Sequence, residues 1–142
     1  MKKISILILF SMFLFACNQG AETKKTDETI SEEKIFENTE VAVYYFYGKM
    51  RCATCIDLQK FVEKTVEDEF SDNDKVKYFE IDVSEKSNQE IADKYEISFS
   101  SVILATKDNQ VNLTMEAFDL LYKDPNTLKE LIINETNNFL TN

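Results

Sequence analysis

The sequence has no histidine or tryptophan, only two glycines and one proline, and only three cysteines. The lack of histidine removes the commonest metal ligand and the usual base at neutral pH. The scarcity of glycine and proline argues against a collagen-like, loop-rich or low-complexity chain. Acidic residues outnumber basic ones by 26 to 16, so the net charge is −10. Because such a surface repels nucleic acid, we expect no nucleic-acid partner.

The N-terminus carries the pattern of a secretory signal. Lys2 and Lys3 precede an apolar run over residues 4–15. That run is too short to span a hydrocarbon core of about 30 Å as a helix, and its positive start is typical of an exported protein. It ends in Leu14-Phe15-Ala16-Cys17. This ending resembles the bacterial lipoprotein signal, in which the cysteine is lipidated and becomes the first residue.

Lipidation of Cys17 implies a protein anchored to a bacterial cell membrane. Buried acyl carbons contribute ~0.8 kcal/mol per CH₂, and two or more chains give a stable anchor. The alternative is an ordinary cysteine in a plain signal peptide. We expect a signal peptide over residues 1–16, the lipidated cysteine and a flexible tether over 17–38, and one folded domain over 39–142.

Hydrophobic patterning predicts the elements of that domain. The run VAVYYFY at Val41–Tyr47 is typical of a central strand buried on both faces. Apolar residues spaced by three and four then predict a helix from near Cys52 to near Glu69. Further strands are predicted at 76–83, 101–106 and 111–115. Helices are predicted near 32–37, over 88–95 with Ser87 as the N-cap, and after Asp124-Pro125 at the end of the domain. Residues 115–122 are predicted to be either helical or irregular.

The order β-α-β-α-β-β-α predicts an α/β fold in which helices flank a central, mixed, four-stranded sheet. A Cys-x-x-Cys motif, Cys52-Ala53-Thr54-Cys55, lies on the turn from the first strand into the first long helix. Unpaired backbone N–H groups and the helix dipole favour a thiolate there, and Lys49 and Arg51 add positive charge. Cys52 is then the nucleophile, and Cys55, one helical turn further on, resolves the mixed disulfide.

Two alternatives to redox chemistry remain open at this motif. The dithiol could capture a thiophilic ion such as arsenite or copper(I), or the pair could be inert. A zinc site of the common kinds is not expected, because one Cys pair without histidine cannot complete a tetrahedral set within the chain. A structural disulfide is a poor explanation, since so short a loop has little closure entropy to remove.

Residues 41–140 resemble the thioredoxin family in the order, spacing and type of their elements. The sequence departs from the family at three places: Met50-Arg51 replaces the aromatic residue before the first Cys, Phe46 replaces a buried acidic residue, and Ser101 replaces the cis-proline. Because a cis bond before a non-proline residue costs ~3 kcal/mol, we expect Ser100-Ser101 to be trans. Ser100 or Ser101 could offer a polar group to a ligand near the sulfurs, or simply begin a strand.

Two acidic residues at the end of the second strand, Glu80 and Asp82, are candidates to accept the proton of Cys55. The alternative is that both are solvated carboxylates. The aromatic run at 44–47 is interpreted as core and sheet packing.

Residues 44–55, with serines in place of the cis-proline, also resemble the thioredoxin-like nitrophenyl-compound nitroreductase subunit family. That resemblance implies electron transfer from Cys52 and Cys55 to a nitroaromatic or arsenical system. The sequence shows no flavin or nicotinamide site, so we expect no cofactor. We expect a monomer, with a thiol or disulfide partner such as a membrane redox or transport protein.

Overall fold

A computed structural model describes residues 32–141, so Cys17 and the predicted signal peptide lie outside the described residues. The chain order is α1 Glu32–Phe36, β1 Val41–Tyr47, α2 Ala53–Phe70, β2 Val76–Asp82, a 3₁₀ turn Lys86–Asn88 leading into α3 Gln89–Lys94, β3 Ser101–Ala105, β4 Gln110–Asn112, α4 Thr114–Lys123 and α5 Pro125–Thr141. None of the helices within residues 32–141 is long and apolar enough to cross a membrane.

The four strands form one mixed sheet in the order β2-β1-β3-β4. β1 pairs in parallel with β2 and antiparallel with β3, and β3 pairs antiparallel with β4. β1 is therefore central, and six of its seven residues are buried. The predicted α/β class and the mixed four-stranded sheet are confirmed.

Alternation along β1 divides the core into two layers, since successive side chains point to opposite faces of a strand. Val43 and Tyr45 pack in the layer that α2, α4 and α5 cover. Tyr44 and Phe46 pack in the layer on the opposite face, together with residues of α1 and α3. Both layers meet at β1, so the strand that leads into the Cys-x-x-Cys turn is held on both sides.

The short helix α1 covers part of the second layer, within the segment for which the sequence predicted a tether. Its Ile35 is buried among the residues of that layer. The Glu32 carboxylate accepts hydrogen bonds from the Lys94 ammonium and the Tyr95 hydroxyl at the end of α3. These contacts attach α1 to the face of the sheet opposite α2.

Two boundaries differ from the sequence prediction. The fourth strand ends at Asn112, because Thr114 turns away from the strand and its Oγ1 accepts the Val102 amide at 3.0 Å. The uncertain segment that follows is helical, as α4. Ser87 is not the N-cap of α3. Asn88 holds that position, and its side-chain amide instead donates to the Asp82 carbonyl at 3.0 Å.

The start of α5 follows the prediction. Asp124 precedes Pro125, and its carboxylate accepts hydrogen bonds from the Thr127 amide at 3.2 Å and from the Thr127 hydroxyl at 2.7 Å. These bonds hold the pKa of Asp124 below its ordinary value. Asp124 therefore caps the N-terminus of α5 through Thr127.

Candidate functional site: the Cys52–Cys55 turn

Cys52 is the N-cap residue of α2, and Cys55 lies in the first turn of that helix. The two cysteines form a disulfide with their Cα atoms 5.1 Å apart. The Cys55 amide also donates to the Cys52 sulfur at 3.1 Å, so this sulfur fills the position of an N-cap side-chain acceptor. Cys52 is exposed and Cys55 is half-buried. The structure therefore brings the two predicted sulfurs together at the tip of the helix, where one of them can be reached.

The electrostatic setting of this turn favours an anion. The first turn of α2 contains no acidic residue, and the positive end of the helix dipole lies there. Lys49 is exposed in the loop that precedes Cys52. Such an environment stabilises the thiolate form of a cysteine relative to its thiol.

Arg51 is turned towards the sheet. Its guanidinium carbon lies 4.2 Å from the centre of the Tyr47 ring, within the range of a cation–π contact. Its Nε and Nη2 atoms are buried without a hydrogen-bond partner. Its charge opposes the effect of burial, which raises the pKa of both Tyr45 and Tyr47. Arg51, the residue before Cys52, is thus held against β1.

Tyr45 connects the central strand to the sulfur-bearing turn. Its hydroxyl donates to the Cys55 carbonyl at 2.6 Å. Burial raises the pKa of Tyr45, and a hydrogen bond with the Ser100 side chain lowers it. Tyr45 therefore joins β1 to the first turn of α2. Sequence reasoning missed this role, because one tyrosine within an aromatic run gives no signal of what its hydroxyl contacts.

Ser100 and Ser101 are both buried beside this tyrosine, at the start of β3. The Ser101 hydroxyl donates to the Phe99 carbonyl at 2.8 Å. All peptide bonds of residues 32–141 are trans, so the expectation for Ser100-Ser101 is confirmed. The Ser101 hydroxyl therefore stabilises its own loop, and Ser100 lies buried at the start of β3.

Solved structures share this overall architecture. The chain matches the thioredoxin of Malassezia sympodialis (Mala s 13) with a TM-score of 0.51 and 20% identity over 73% of this chain and 84% of that one. The fold is thioredoxin-like. A second match is mitochondrial thioredoxin 3 of Saccharomyces cerevisiae in its oxidized form, with a TM-score of 0.48 and 17% identity over 71% of this chain and 84% of that one.

The chain also matches the zinc-bound form of human ERp44, with a TM-score of 0.48 and 17% identity over 69% of this chain. It spans only 30% of that longer protein. No protein-family model matches the sequence, and no curated protein matches it.

Position 46, in the central strand, carries no acidic group. Phe46 packs on the face of the sheet opposite α2, with its ring 5.6 Å from that of Tyr44 and 5.7 Å from that of Tyr95. An apolar ring there cannot take a proton from Cys55. A carboxylate close to Cys55 must therefore come from another position.

Glu80 is an exposed carboxylate on β2, and its side chain is bonded to α2. It pairs with Tyr45 in the register of β1 and β2, and it accepts a hydrogen bond from the side-chain amide of Gln59. Gln59 is four residues after Cys55, so the two lie on the same face of α2. Asp82 pairs with Tyr47 instead.

The Asp82 carboxylate is engaged in the turn after β2. It accepts hydrogen bonds from the Ser84 amide at 2.8 Å and from the Ser84 hydroxyl at 2.6 Å. Of the two acidic candidates, Glu80 is therefore the one connected to the helix that carries the sulfurs. The Gln59 contact had no signal in the sequence, because it depends on the register of two strands and on the rotation of α2.

The helix α4 reaches the same part of α2 from another side. The Tyr122 hydroxyl donates to the Asp57 carboxylate at 2.6 Å, and this bond raises the pKa of Tyr122. Asp57 lies two residues after Cys55. The start of α2 is thus attached to the sheet through Tyr45 and to α4 through Tyr122.

Proposed function

We propose that this protein is a thiol–disulfide redox protein of the cell envelope, with Cys52 as the nucleophile and Cys55 as the resolving thiol. The observation that carries the proposal is the disulfide between an exposed N-cap cysteine and a half-buried cysteine in the next turn. The thioredoxin-like fold is consistent with it. The difference in exposure supports the two roles, because a partner would reach Cys52 first.

In the reducing direction, the Cys52 thiolate attacks one sulfur of a partner disulfide. A Cys52–partner bond forms, and the other partner sulfur leaves as a thiolate. Cys55 then loses its proton and attacks the Cys52 sulfur, which releases the second partner thiolate and forms the Cys52–Cys55 disulfide. Two electrons pass to the partner, whose two sulfurs take up two protons. The same steps in reverse oxidise a partner dithiol.

The Cys55→Ser variant tests this assignment, because it removes the thiol that would release the partner. We expect it to accumulate a mixed disulfide with its partner that survives denaturation and is cleaved by reductant. The matched Cys52→Ser variant retains only the half-buried thiol and should trap little or none. Equal trapping by the two variants, or none by either, would contradict the proposed roles.

The reduction potential gives a second, partner-independent test. A pair that serves as a carrier should equilibrate reversibly with glutathione or thioredoxin, in the range of about −120 to −270 mV found for known carriers. The pKa of Cys52 in the reduced protein should lie below the ordinary 8.5 of a free cysteine. A Cys52 pKa at or above that value would remove the basis for its role as nucleophile.

The cell-envelope part of the proposal depends on Cys17, whose sequence context resembles a lipidation signal. Replacing Cys17 with Ser removes the acceptor thiol for the lipid. We expect the variant to leave the membrane fraction, while the unchanged protein stays there in high salt. Retention of Cys17→Ser in salt-washed membranes would contradict a lipid anchor.

We further propose that the pair supplies electrons to a membrane system that handles nitroaromatic or arsenical compounds. The support is the resemblance of residues 44–55 to the nitroreductase subunit family. Because the sequence shows no flavin or nicotinamide site, a partner must carry the chemistry of a nitro group. The disulfide-linked partner of Cys55→Ser should then be a membrane redox or transport protein, and a soluble partner would contradict this part.

A further inference from the structure

A third sulfur lies next to the cysteine pair along the chain. Met50 is two residues before Cys52, in the loop between β1 and α2, and its side chain is 94% exposed. An apolar side chain in that position contributes almost nothing to the core. Methionine is unbranched and flexible, and its thioether is a soft, polarizable donor. No core contact therefore holds the Met50 thioether away from the two cysteines.

We propose that the reduced protein binds one Cu(I) ion through the thiolates of Cys52 and Cys55 and the thioether of Met50. This inference rests on the proposed function only in requiring that the disulfide be reducible. It adds a metal site and a third ligand to the redox pair.

The donor set selects the metal. Thiolate and thioether ligands favour Cu(I), whereas zinc sites use four ligands drawn from cysteine, histidine and carboxylate. The sequence has no histidine. Within residues 32–141, no group of three or more histidine, cysteine, aspartate or glutamate side chains is placed to hold a metal ion. A set of three sulfurs satisfies Cu(I) and leaves zinc short of ligands.

The geometry and charge of the turn fit such a complex. The Cα atoms of Cys52 and Cys55 are 5.1 Å apart, so both sulfurs can reach one ion once the bond between them is opened. The complex of one Cu⁺ with two thiolates carries one negative charge. It would lie at the positive end of α2, whose first turn contains no acidic residue.

Copper binding and the disulfide exclude each other. A partner dithiol reduces the Cys52–Cys55 disulfide by transferring two electrons and two protons, and is itself oxidised to a disulfide. The two thiols then release two protons as they bind Cu⁺. The copper stays Cu(I) throughout, so the binding step needs no further oxidant or reductant.

The test is a Cu(I) titration of the reduced full-length protein, without oxygen, against a chromophoric Cu(I) chelator. We expect one Cu(I) per chain. Met50→Leu should weaken binding by about tenfold or more, which corresponds to about 1.4 kcal/mol. X-ray absorption should find three sulfur neighbours in the unchanged protein and two in Met50→Leu.

Met115→Leu is the matched control, because it removes a second exposed thioether, 72% exposed at the start of α4. Its Cu(I) affinity should stay within about twofold of the unchanged protein, a difference below about 0.4 kcal/mol. Equal affinities for Met50→Leu and the unchanged protein would overturn the proposal, as would an equal loss in Met115→Leu.

Binding of arsenite and Zn(II) tests whether Met50 is a ligand or whether the two cysteines alone bind the metal. Arsenite binds thiolates and not thioethers, so its affinity should be the same in Met50→Leu as in the unchanged protein. Zn(II) should bind more weakly than Cu(I). A loss of arsenite affinity in Met50→Leu matching the loss for Cu(I) would show that Met50 acts on the fold and not as a ligand, and would overturn the proposal.

The metal-free reduction potential distinguishes the two proposals. If the pair is reduced and oxidised reversibly but Met50→Leu binds Cu(I) as tightly as the unchanged protein does, only the copper proposal is overturned. A protein in which the two cysteines bind Cu(I) with Met50 but trap no partner overturns the redox assignment alone. A disulfide that cannot be reduced overturns both.

Discussion

The Tyr45 hydroxyl donates to the Cys55 carbonyl at 2.6 Å, and this bond joins the central strand to the turn that carries both sulfurs. Tyr45→Phe removes the bond and keeps the ring. We expect the oxidised protein to lose about 1 kcal/mol of unfolding free energy, as for a typical hydrogen bond inside a protein. Urea denaturation measures this loss.

Tyr47→Phe is the control for that change, because Tyr47 is the next residue of β1 on the same face and is only half-buried. Its loss should stay below about 0.5 kcal/mol. If the two variants lose equal stability, the Tyr45–Cys55 bond contributes nothing specific.

Glu80→Gln should slow the release of the partner from the mixed disulfide. Glu80 is in register with Tyr45 and bonded to Gln59, one turn beyond Cys55, so we expect it to accept the Cys55 proton. Loss of a general base costs about 100-fold or more in rate. The deficit should disappear as the pH rises above about 8.5, where a thiol loses its proton without help.

Single-turnover kinetics from pH 6 to 9 would measure that profile. Glu67→Gln is a suitable comparison, since Glu67 is an exposed carboxylate on α2, the helix that carries Cys55. A rate for Glu80→Gln that matches the unchanged protein at pH 6 would mean that Glu80 is only a solvated carboxylate.

Asp124 makes the stability of the last helix depend on pH. Its hydrogen bonds to Thr127 hold its pKa below the ordinary 3.8. A group whose pKa is lowered by folding stabilises the protein above its unfolded pKa, and the contribution is lost as pH falls through the folded pKa. The unchanged protein should therefore lose more stability between pH 5 and pH 2 than Asp124→Asn does.

Thermal denaturation across that pH range measures the difference. Asp72→Asn, in the turn between α2 and β2, changes an exposed aspartate and serves as the control. Parallel pH profiles for Asp124→Asn and the unchanged protein would contradict the role of the cap.

Ile35→Ala tests how much α1 contributes to the domain. Ile35 is buried at 8% exposure among residues of the second core layer. Removing it should cost about 2 kcal/mol, at the low end for buried isoleucine because α1 is peripheral. Lys34→Ala, exposed on the same helix, should cost close to nothing. Equal urea midpoints for Ile35→Ala and the unchanged protein would mean that α1 does not stabilise the fold.

The sequence predicts the central strand, the long helix and the cysteine pair between them, because each signal is local. β1 is a continuous run of β-branched and aromatic residues, and α2 has apolar residues at helical spacing. A strand buried on both faces needs a continuous apolar run, and a helix buried on one face needs apolar residues at intervals of three and four. Both patterns can be recognised without knowing the rest of the fold. Asp124-Pro125 marks the start of α5 for the same reason.

Contacts that depend on register could not be predicted. The bond from Tyr45 to Cys55 and the contact between Gln59 and Glu80 require knowledge of which residues of β1 and β2 face each other under α2. The end of β4 depends on the Thr114 hydroxyl, which bonds to the Val102 amide across the sheet. These are tertiary choices that override the local preference for strand.

The start of α2 is bonded to the sheet through Tyr45 and to α4 through Tyr122. These two bonds restrict the movement of the turn that carries the sulfurs. We therefore expect oxidation and reduction of the pair to expose almost no new surface to water. The heat capacity of the oxidised and the reduced protein should then be nearly equal. The temperature dependence of the reduction potential should come from the disulfide bond and the charges around it, with no contribution from unfolding. A partner would have to distinguish the two states by the sulfurs themselves.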